Sequence, residues 1–117
     1  PNTLSYVACR AAYEGGEEWR LALLDYLLGN RDLLASFFSE RLPRIRVSHV
    51  EATYLAWIDA SCLGELEAAS FFRTAGVRLS DGGPFGSPGF VRLNFACPRE
   101  TLREALERIH SAFLGTA

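Results

Sequence analysis

The hydrophobic pattern of this sequence changes its period at Leu42-Pro43. Before that point apolar side chains recur every three or four residues, which is the spacing of one helix face. After it apolar and polar side chains alternate, beginning with Ile45 and Val47, as they do along a half-buried strand. The pattern therefore predicts a helical lead-in, residues 1–41, followed by a unit that mixes helices and strands.

The lead-in is predicted to contain two helices. The first begins at Asn2 or Thr3, either of which can cap a helix, and ends at Gly15-Gly16. The second covers residues 17–41 and is about 37 Å long if it is unbroken. Its Gly29-Asn30 pair leaves open a mild kink or a stop and restart. A helix of this length would be more natural as a spine between two domains than as part of an isolated one.

Four strands are predicted in the rest of the chain. They are short segments near residues 45–48, at Thr53–Asp59, at residues 77–79 and at residues 89–96. The segment Thr53–Asp59 carries apolar side chains on both faces, which predicts a strand in the middle of a covered sheet.

Two more helices complete the prediction. One covers residues 64–75, and the other starts with Pro98 at its first position and continues to Phe113. The inward side chains of the first are Leu66, Ala69, Phe71 and Phe72, and the second is expected to pair Arg103 with Glu107 and Glu104 with Arg108. The predicted fold class is α+β, a two-layer single domain (1–117) with three or four mainly antiparallel strands covered by helices.

Composition narrows the function classes. The net charge is −2 and the arginines are scattered, so a nucleic-acid-binding stripe is missing. No apolar run approaches the length of a membrane span. Cys9, Cys62 and Cys97 have no metal-site or disulfide spacing and are expected to be buried, reduced thiols of a cytoplasmic protein. His49 and His110 stand alone and are interpreted as structural.

Arg92 is the candidate binding residue. On the strand at 89–96, Val91 and Leu93 point to one face while Arg92 and Asn94 point to the other. A guanidinium on a rigid strand can hold a carboxylate or phosphate by two hydrogen bonds. A structural ion pair is the alternative, and spacing alone does not decide between them.

A glycine-rich loop precedes that strand, at residues 80–88. It lacks the motif and the following helix of a phosphate-binding loop. It is interpreted as a flexible loop, or alternatively as an aromatic lid built on Phe85 beside Gly86.

Several blocks resemble one family, the fold-type-I enzymes that use pyridoxal phosphate, and within it the aminotransferase-like C–S lyases. The blocks are Glu17-Glu18-Trp19, Gly29-Asn30-Arg31-Asp32, Ala52–Asp59, Ala75-Gly76-Val77 and Phe90–Ala96 followed by Pro98. They cover nearly the whole chain in order, and the last block is the most specific.

The resemblance implies that residues 1–117 are the C-terminal small domain of a larger, bacterial, homodimeric enzyme. It implies that Arg92 binds the α-carboxylate of an amino-acid substrate and that Phe85 and Gly86 lie near the active-site mouth. The cofactor would be pyridoxal 5'-phosphate, held by a lysine of a large domain outside this chain. The sequence has no Lys, so no cofactor is expected on this chain alone. The absence of Met and the start at Pro1 are likewise expected of a piece of a longer protein.

For the reaction, the resemblance favours a C–S β-lyase acting on cystathionine-like substrates, with an aminotransferase as the alternative. Arg92 would orient the substrate in either reaction, so this chain does not separate them. A non-catalytic αβ binding module, with Arg92 in a structural ion pair, remains a possibility of another class.

Overall fold

A four-stranded antiparallel sheet packs against a layer of helices. The computed structural model describes residues 2–64 and 67–115. Within them, the helices are α1 (Thr3–Gly15), α2 (Glu17–Arg41), α3 (Ala68–Thr74) and α4 (Arg99–Leu114), and the strands are β1 (Arg46–Val47), β2 (Leu55–Asp59), β3 (Ser80–Asp81) and β4 (Phe90–Asn94). Short 3₁₀ helices occupy Ser61–Leu63 and Gly83–Phe85. The predicted α+β class is confirmed.

The strands lie in the order β1-β2-β4-β3, so β2 and β4 form the centre of the sheet. All three pairings are antiparallel. Trp57 of β2 and Ser80 of β3 both pair directly with Arg92 of β4, one from each side. Because side chains alternate along a strand, these three side chains emerge on the same face of the sheet.

The opposite face of the sheet forms the core. Ala56 and Ile58 of β2 and Val91 and Leu93 of β4 are buried there, each at most 3% exposed. The helices contribute the remaining buried side chains, which include Leu34, Phe38, Phe72, Leu102, Leu106 and Ile109. Removing this apolar surface from water is the main stabilising contribution, at about 25 cal/mol per Å².

The N-terminal helices project from this core. Asn2 caps α1, its Oδ1 accepting a 2.8 Å hydrogen bond from the amide of Ser5, and α1 contains no buried residue. The described part of the chain measures 53 × 28 × 23 Å and has a radius of gyration of 16.9 Å. A compact chain of this length would have about 13 Å. The excess reflects α1 and the first half of α2, where many of the large apolar side chains are exposed.

Helix α2 continues without interruption through Gly29-Asn30. Asn30 is fully buried, and its Nδ2 donates to the carbonyls of Phe95 at 2.9 Å and Cys97 at 3.0 Å. Its Oδ1 accepts from Nε of Arg99 at 2.9 Å. The asparagine therefore fastens α2 to the segment that joins β4 to α4 and does not end the helix.

Two element boundaries differ from prediction because of local backbone geometry. The strand predicted at 77–79 lies at Ser80–Asp81. Gly76 adopts a φ of +79°, and the amide of Val77 bonds back to the carbonyl of Phe72, so the chain is still closing α3 at that point. Pro98 is the N-cap of α4 and not its first helical residue.

The predicted helix at 64–75 is described from Ala68 to Thr74. Gly64 has a φ of +101°, which is incompatible with a right-handed helix. Leu66 lies outside the described residues.

Three predictions about exposure and pairing were wrong. Cys9 is exposed on α1, whereas Cys62 and Cys97 are partly buried. The strand Leu55–Asp59 was predicted to be covered on both faces, but on its outer face Leu55 and Trp57 are only half buried. Glu104 does pair with Arg108, but Glu107 reaches across to Arg41 of α2, 3.2 Å away, so it is not the partner of Arg103.

Candidate functional site

Arg92 emerges from the centre of the outer face of the sheet. Its side chain is half buried, and the strand pairings place it between Trp57 and Ser80. Its neighbours on β4, Val91 and Leu93, are buried on the opposite face, which fixes the direction of the arginine. The alternation predicted for this strand is confirmed.

The guanidinium of Arg92 has only neutral neighbours among the described residues. Nη2 lies 3.5 Å from Oγ of Ser80, at the long limit of a hydrogen bond. Cζ lies over the ring of Phe85, 5.0 Å from its centroid. Within residues 2–64 and 67–115, no carboxylate comes within 4.0 Å of it. The cation is thus available to an incoming anion.

The segment between β3 and β4 is a hydrogen-bonded turn that contains the Gly83–Phe85 3₁₀ helix. The amide of Gly82 bonds to the carbonyl of Phe90 at 2.9 Å, and the amides of Phe85 and Ser87 bond to the carbonyl of Gly82 at 2.9 and 3.1 Å. Gly86 closes the 3₁₀ turn with a φ of +78°, a conformation that favours glycine. These bonds hold Phe85 over Arg92.

Three aromatic rings line the surface beside Arg92. Phe85 meets Trp57 edge to face at a centroid distance of 6.1 Å, and Trp57 stacks on Phe90 at 5.7 Å with 19° between the rings. Phe85 is still 57% exposed. The result is a cation flanked on one side by a row of rings and open to solvent on the other.

Asp59 lies farther along the same face, where β2 ends. Its Oδ1 accepts from Oγ of Ser61 at 2.6 Å and from the Ser61 amide at 3.1 Å. These two hydrogen bonds, aided weakly by Arg46, lower the pKa of this carboxyl below its ordinary value. A carboxylate held in this way is a poor proton acceptor, so we assign it a structural part at the turn into the Ser61–Leu63 helix.

The thiol of Cys97 follows β4 and is partly buried. Removal from water raises its pKa above the ordinary thiol value, which favours the protonated, less reactive form. Neither it nor any other described residue belongs to a group of three or more His, Cys, Asp or Glu side chains that could hold a metal ion. None of the helices in the described part is long and apolar enough to cross a membrane.

Sequence reasoning identified Arg92 and Phe85 separately, and the structure brings them together. It missed Ser80 and Trp57 as the side chains that flank Arg92. The position of Ser80 could not be read from the sequence, because the strand that carries it was predicted three residues too early. Trp57 stood out only as part of an apolar strand, and its place opposite Arg92 depends on the β2–β4 register.

Comparison with known proteins places this geometry in a family. Residues 4–109 match the family model for class I and II aminotransferases. The chain is 42% identical over 113 residues to a cystathionine β-lyase of Corynebacterium glutamicum, covering 92% of this chain and 30% of that protein.

Solved structures agree. The chain is 41% identical to the pyridoxal-phosphate-bound C–S lyase of Staphylococcus hominis in complex with the inhibitor L-cycloserine, with a TM-score of 0.85 over 95% of this chain and 29% of that one. It is 30% identical to cystalysin of Treponema denticola, whose structure contains pyridoxal 5'-phosphate, with a TM-score of 0.91 over 99% of this chain and 31% of that one.

These alignments cover 92% to 99% of this chain at 30% identity or more. The chain spans about a third of the length of the curated relatives it matches, 30% to 33%. The family model accounts for nearly all of the chain, including the strand and turn that form the surface around Arg92. This chain therefore belongs to the class I and II aminotransferase family.

Proposed function

We propose that this chain is the small domain of a pyridoxal-phosphate enzyme that acts on amino acids, and that Arg92 binds the α-carboxylate of the substrate. In this proposal residues 1–117 form one domain, and residues 1–41 connect it to a large domain. The relatives, about three times as long as this chain, support the arrangement. The intact enzyme is proposed to be a homodimer.

The observation that carries the proposal is the set of groups around Arg92. A structural arginine is normally matched by a carboxylate, but among the described residues this one has the neutral side chains of Ser80, Phe85 and Trp57 beside it. Its half-buried position reduces competition from water, which strengthens a charge-assisted hydrogen bond. A planar fork of N–H donors fits a carboxylate with two parallel bonds.

Pyridoxal phosphate does not fit this chain as a covalent partner, because the sequence has no Lys. When bound, the cofactor supplies an electron sink for the bonds at Cα of an amino acid. Residues outside this chain would have to hold it. The part assigned to this chain is to fix the carboxylate, and with it the direction in which the other substituents of Cα point.

We propose C–S β-elimination as the reaction. The support is the identity to proteins named cystathionine β-lyase and C–S lyase, at 42% and 41%. In such a reaction the Cβ–S bond of a cystathionine-like substrate breaks, and after hydrolysis the products are a thiol, pyruvate and ammonia. Amino transfer is the second candidate, because the family model describes aminotransferases.

The binding role is tested in the full-length enzyme with Arg92→Ala and Arg92→Lys. Loss of two charge-assisted hydrogen bonds is expected to cost about 2–4 kcal/mol, or about 30- to 1000-fold in kcat/KM. Lys should not restore the activity, since an ammonium cannot form the forked contact. Arg103→Ala, on the exposed face of α4 in the other layer, is the matched control. Unchanged kinetics for both Arg92 variants would remove Arg92 from the site.

The reaction is tested by giving the full-length enzyme L-cystathionine without a keto acid. Release of pyruvate together with a free thiol is the expected result for a lyase. Turnover that begins only when a keto acid is added would identify an aminotransferase. Absence of both activities, with cofactor bound, would favour a non-catalytic binding module.

A further inference from the structure

We infer that Phe85 is a positioning residue for Arg92: its ring, braced by Trp57, holds the guanidinium where the substrate carboxylate is received. The inference rests on the proposed function, since it assigns to Phe85 a part in the same carboxylate site. It adds a residue that acts through the arginine and does not itself bind the carboxylate.

The first support is the contact itself. Cζ of Arg92 lies over the Phe85 ring, 5.0 Å from the centroid, within the range at which a ring attracts a cation. The long 3.5 Å contact to Ser80 is too weak to fix the side chain alone. An arginine has four rotatable side-chain bonds, so without the ring it would have to be ordered by the substrate, at a cost in binding free energy.

The second support is that the ring is itself fixed. Trp57 meets Phe85 edge to face at 6.1 Å, an arrangement that aromatic pairs prefer. The hydrogen bonds of the turn hold the backbone of residues 82–87. A Cβ at Gly82 would lie 2.5 Å from the Ser87 carbonyl oxygen and 2.6 Å from that of Phe90, so the turn is closely packed. These contacts make Phe85 a fixed platform and not a mobile lid.

The third support is the exposure of Phe85. A phenylalanine that is 57% exposed contributes little to the core, so its burial does not explain its place. Its partners are Trp57 and Arg92. Replacing it should therefore alter the arginine more than the stability of the fold.

The chain offers a matched control on the opposite layer. Cζ of Arg41 lies over the ring of Phe37 at 5.3 Å, a contact of the same kind between two side chains of α2. Phe37→Leu removes the ring of this second cation–ring pair, which lies in the helical layer, where Phe37 also meets His110 edge to face. Any effect that Phe85→Leu produces and Phe37→Leu does not is specific to the site.

The experiment measures binding to the full-length, cofactor-loaded enzyme by calorimetry. The probes are S-ethyl-α-methyl-L-cysteine, which has no Cα proton and cannot be turned over, and its carboxamide, which lacks the carboxylate. Phe85→Leu should weaken the acid by about 3- to 30-fold and leave the carboxamide nearly unchanged. Phe85→Tyr, which keeps the ring, should bind both as the wild type does, and so should Phe37→Leu.

A double-mutant cycle completes the test. In the Arg92→Ala background, Phe85→Leu should have no further effect on the acid, because the ring acts through the arginine. Equal weakening of the acid and the carboxamide by Phe85→Leu, or additive effects of the two substitutions, would overturn the role of Phe85. An Arg92→Ala enzyme that still prefers the acid would instead overturn the proposed carboxylate site. The two failures are thereby distinguished.

Discussion

Asn30 and Arg99 are 69 positions apart in the chain, yet Oδ1 of Asn30 accepts a 2.9 Å hydrogen bond from Nε of Arg99. The same arginine donates through Nη2 to the carbonyl of Tyr26 at 3.0 Å, and its Cζ lies 4.6 Å from the centroid of the Tyr26 ring. Because Asn30 also bonds the carbonyls of Phe95 and Cys97, one buried amide ties α2 to the end of the strand that carries Arg92.

Asn30→Ala should destabilise the protein by about 2–4 kcal/mol. The substitution removes the buried bond to the Phe95 carbonyl and the partly buried bonds to the Cys97 carbonyl and the Nε of Arg99. Each group left unsatisfied costs about 1–3 kcal/mol before it relaxes toward water. Urea unfolding of the intact protein measures the loss. The control is Asn94→Ala, because Asn94 is exposed and makes a single 2.8 Å bond to the amide of Ala96. If both substitutions lowered the free energy of unfolding equally, the buried hydrogen bonds of Asn30 would not be the source of the loss.

Ser61→Ala should make stability depend less on pH. The hydroxyl of Ser61 is the largest cause of the lowered pKa of Asp59. A carboxyl whose pKa is lower in the folded state adds stability above its unfolded pKa, and that stability is lost as the pH falls through the folded pKa. The variant should therefore be less stable than the wild type at neutral pH, by up to about 1 kcal/mol, and equally stable in acid.

The check is to measure the free energy of unfolding of Ser61→Ala and of the wild type at a series of pH values from neutral to strongly acidic. Arg46→Ala is the control, since its charge is the smallest cause and its Nε is 3.9 Å from the Asp59 carboxylate. A difference between Ser61→Ala and wild type that persists unchanged in acid would assign the effect to packing.

Gly82→Ala should shift the turn beneath Phe85. Both oxygens that the new Cβ would meet belong to the backbone, so the turn has to move, at a cost of about 1–3 kcal/mol. Gly15→Ala is the opposite case: a Cβ there meets nothing within 4 Å, and alanine favours the helix by up to about 1 kcal/mol. Thermal unfolding should show opposite signs. A Gly82→Ala protein as stable as the wild type would show that the turn is more adaptable than its contacts indicate.

Cys97 should be alkylated by iodoacetamide more slowly in the folded protein than in urea, and the rate should rise at higher pH than for the unfolded thiol. Burial raises its pKa, so less thiolate is present at a given pH. Peptide mass spectrometry at several pH values gives the rate for this cysteine separately. If the alkylation rate of the folded protein reached its half-maximal value at the same pH as that of the unfolded protein, or at a lower pH, the effect of burial would be contradicted.

Local patterns predicted the parts of the fold that depend on few neighbours. The alternation along Phe90–Asn94 is enough to direct Val91 inward and Arg92 outward, and both directions are confirmed. The start of α1 at Asn2-Thr3 likewise depends on residues close in sequence.

The features that the sequence did not predict depend on distant partners or on backbone detail. Gly29-Asn30 carries a helix-breaking signal, which is overridden because Asn30 finds its partners more than sixty positions away. Glu107 has a suitable partner one turn away, yet it bonds to Arg41 across the helix interface. The meeting of Arg92 with Phe85 requires the turn geometry, which the loop composition alone leaves open.

Because the contacts of Asn30 join segments that are far apart in sequence, they can form only late in synthesis of the chain. Helix α2 is synthesised before α4, and its Leu34 and Phe38 belong to a core that also includes Leu102, Leu106 and Ile109 of α4. Until α4 emerges, the nascent chain carries an uncovered apolar face and an unpaired Asn30. The contacts that offset the entropy cost of closing the loop between α2 and α4 have not yet formed. Chains arrested before Arg99 should therefore bind chaperones and hydrophobic dyes, and this binding should end once the sixteen residues of α4 have been released.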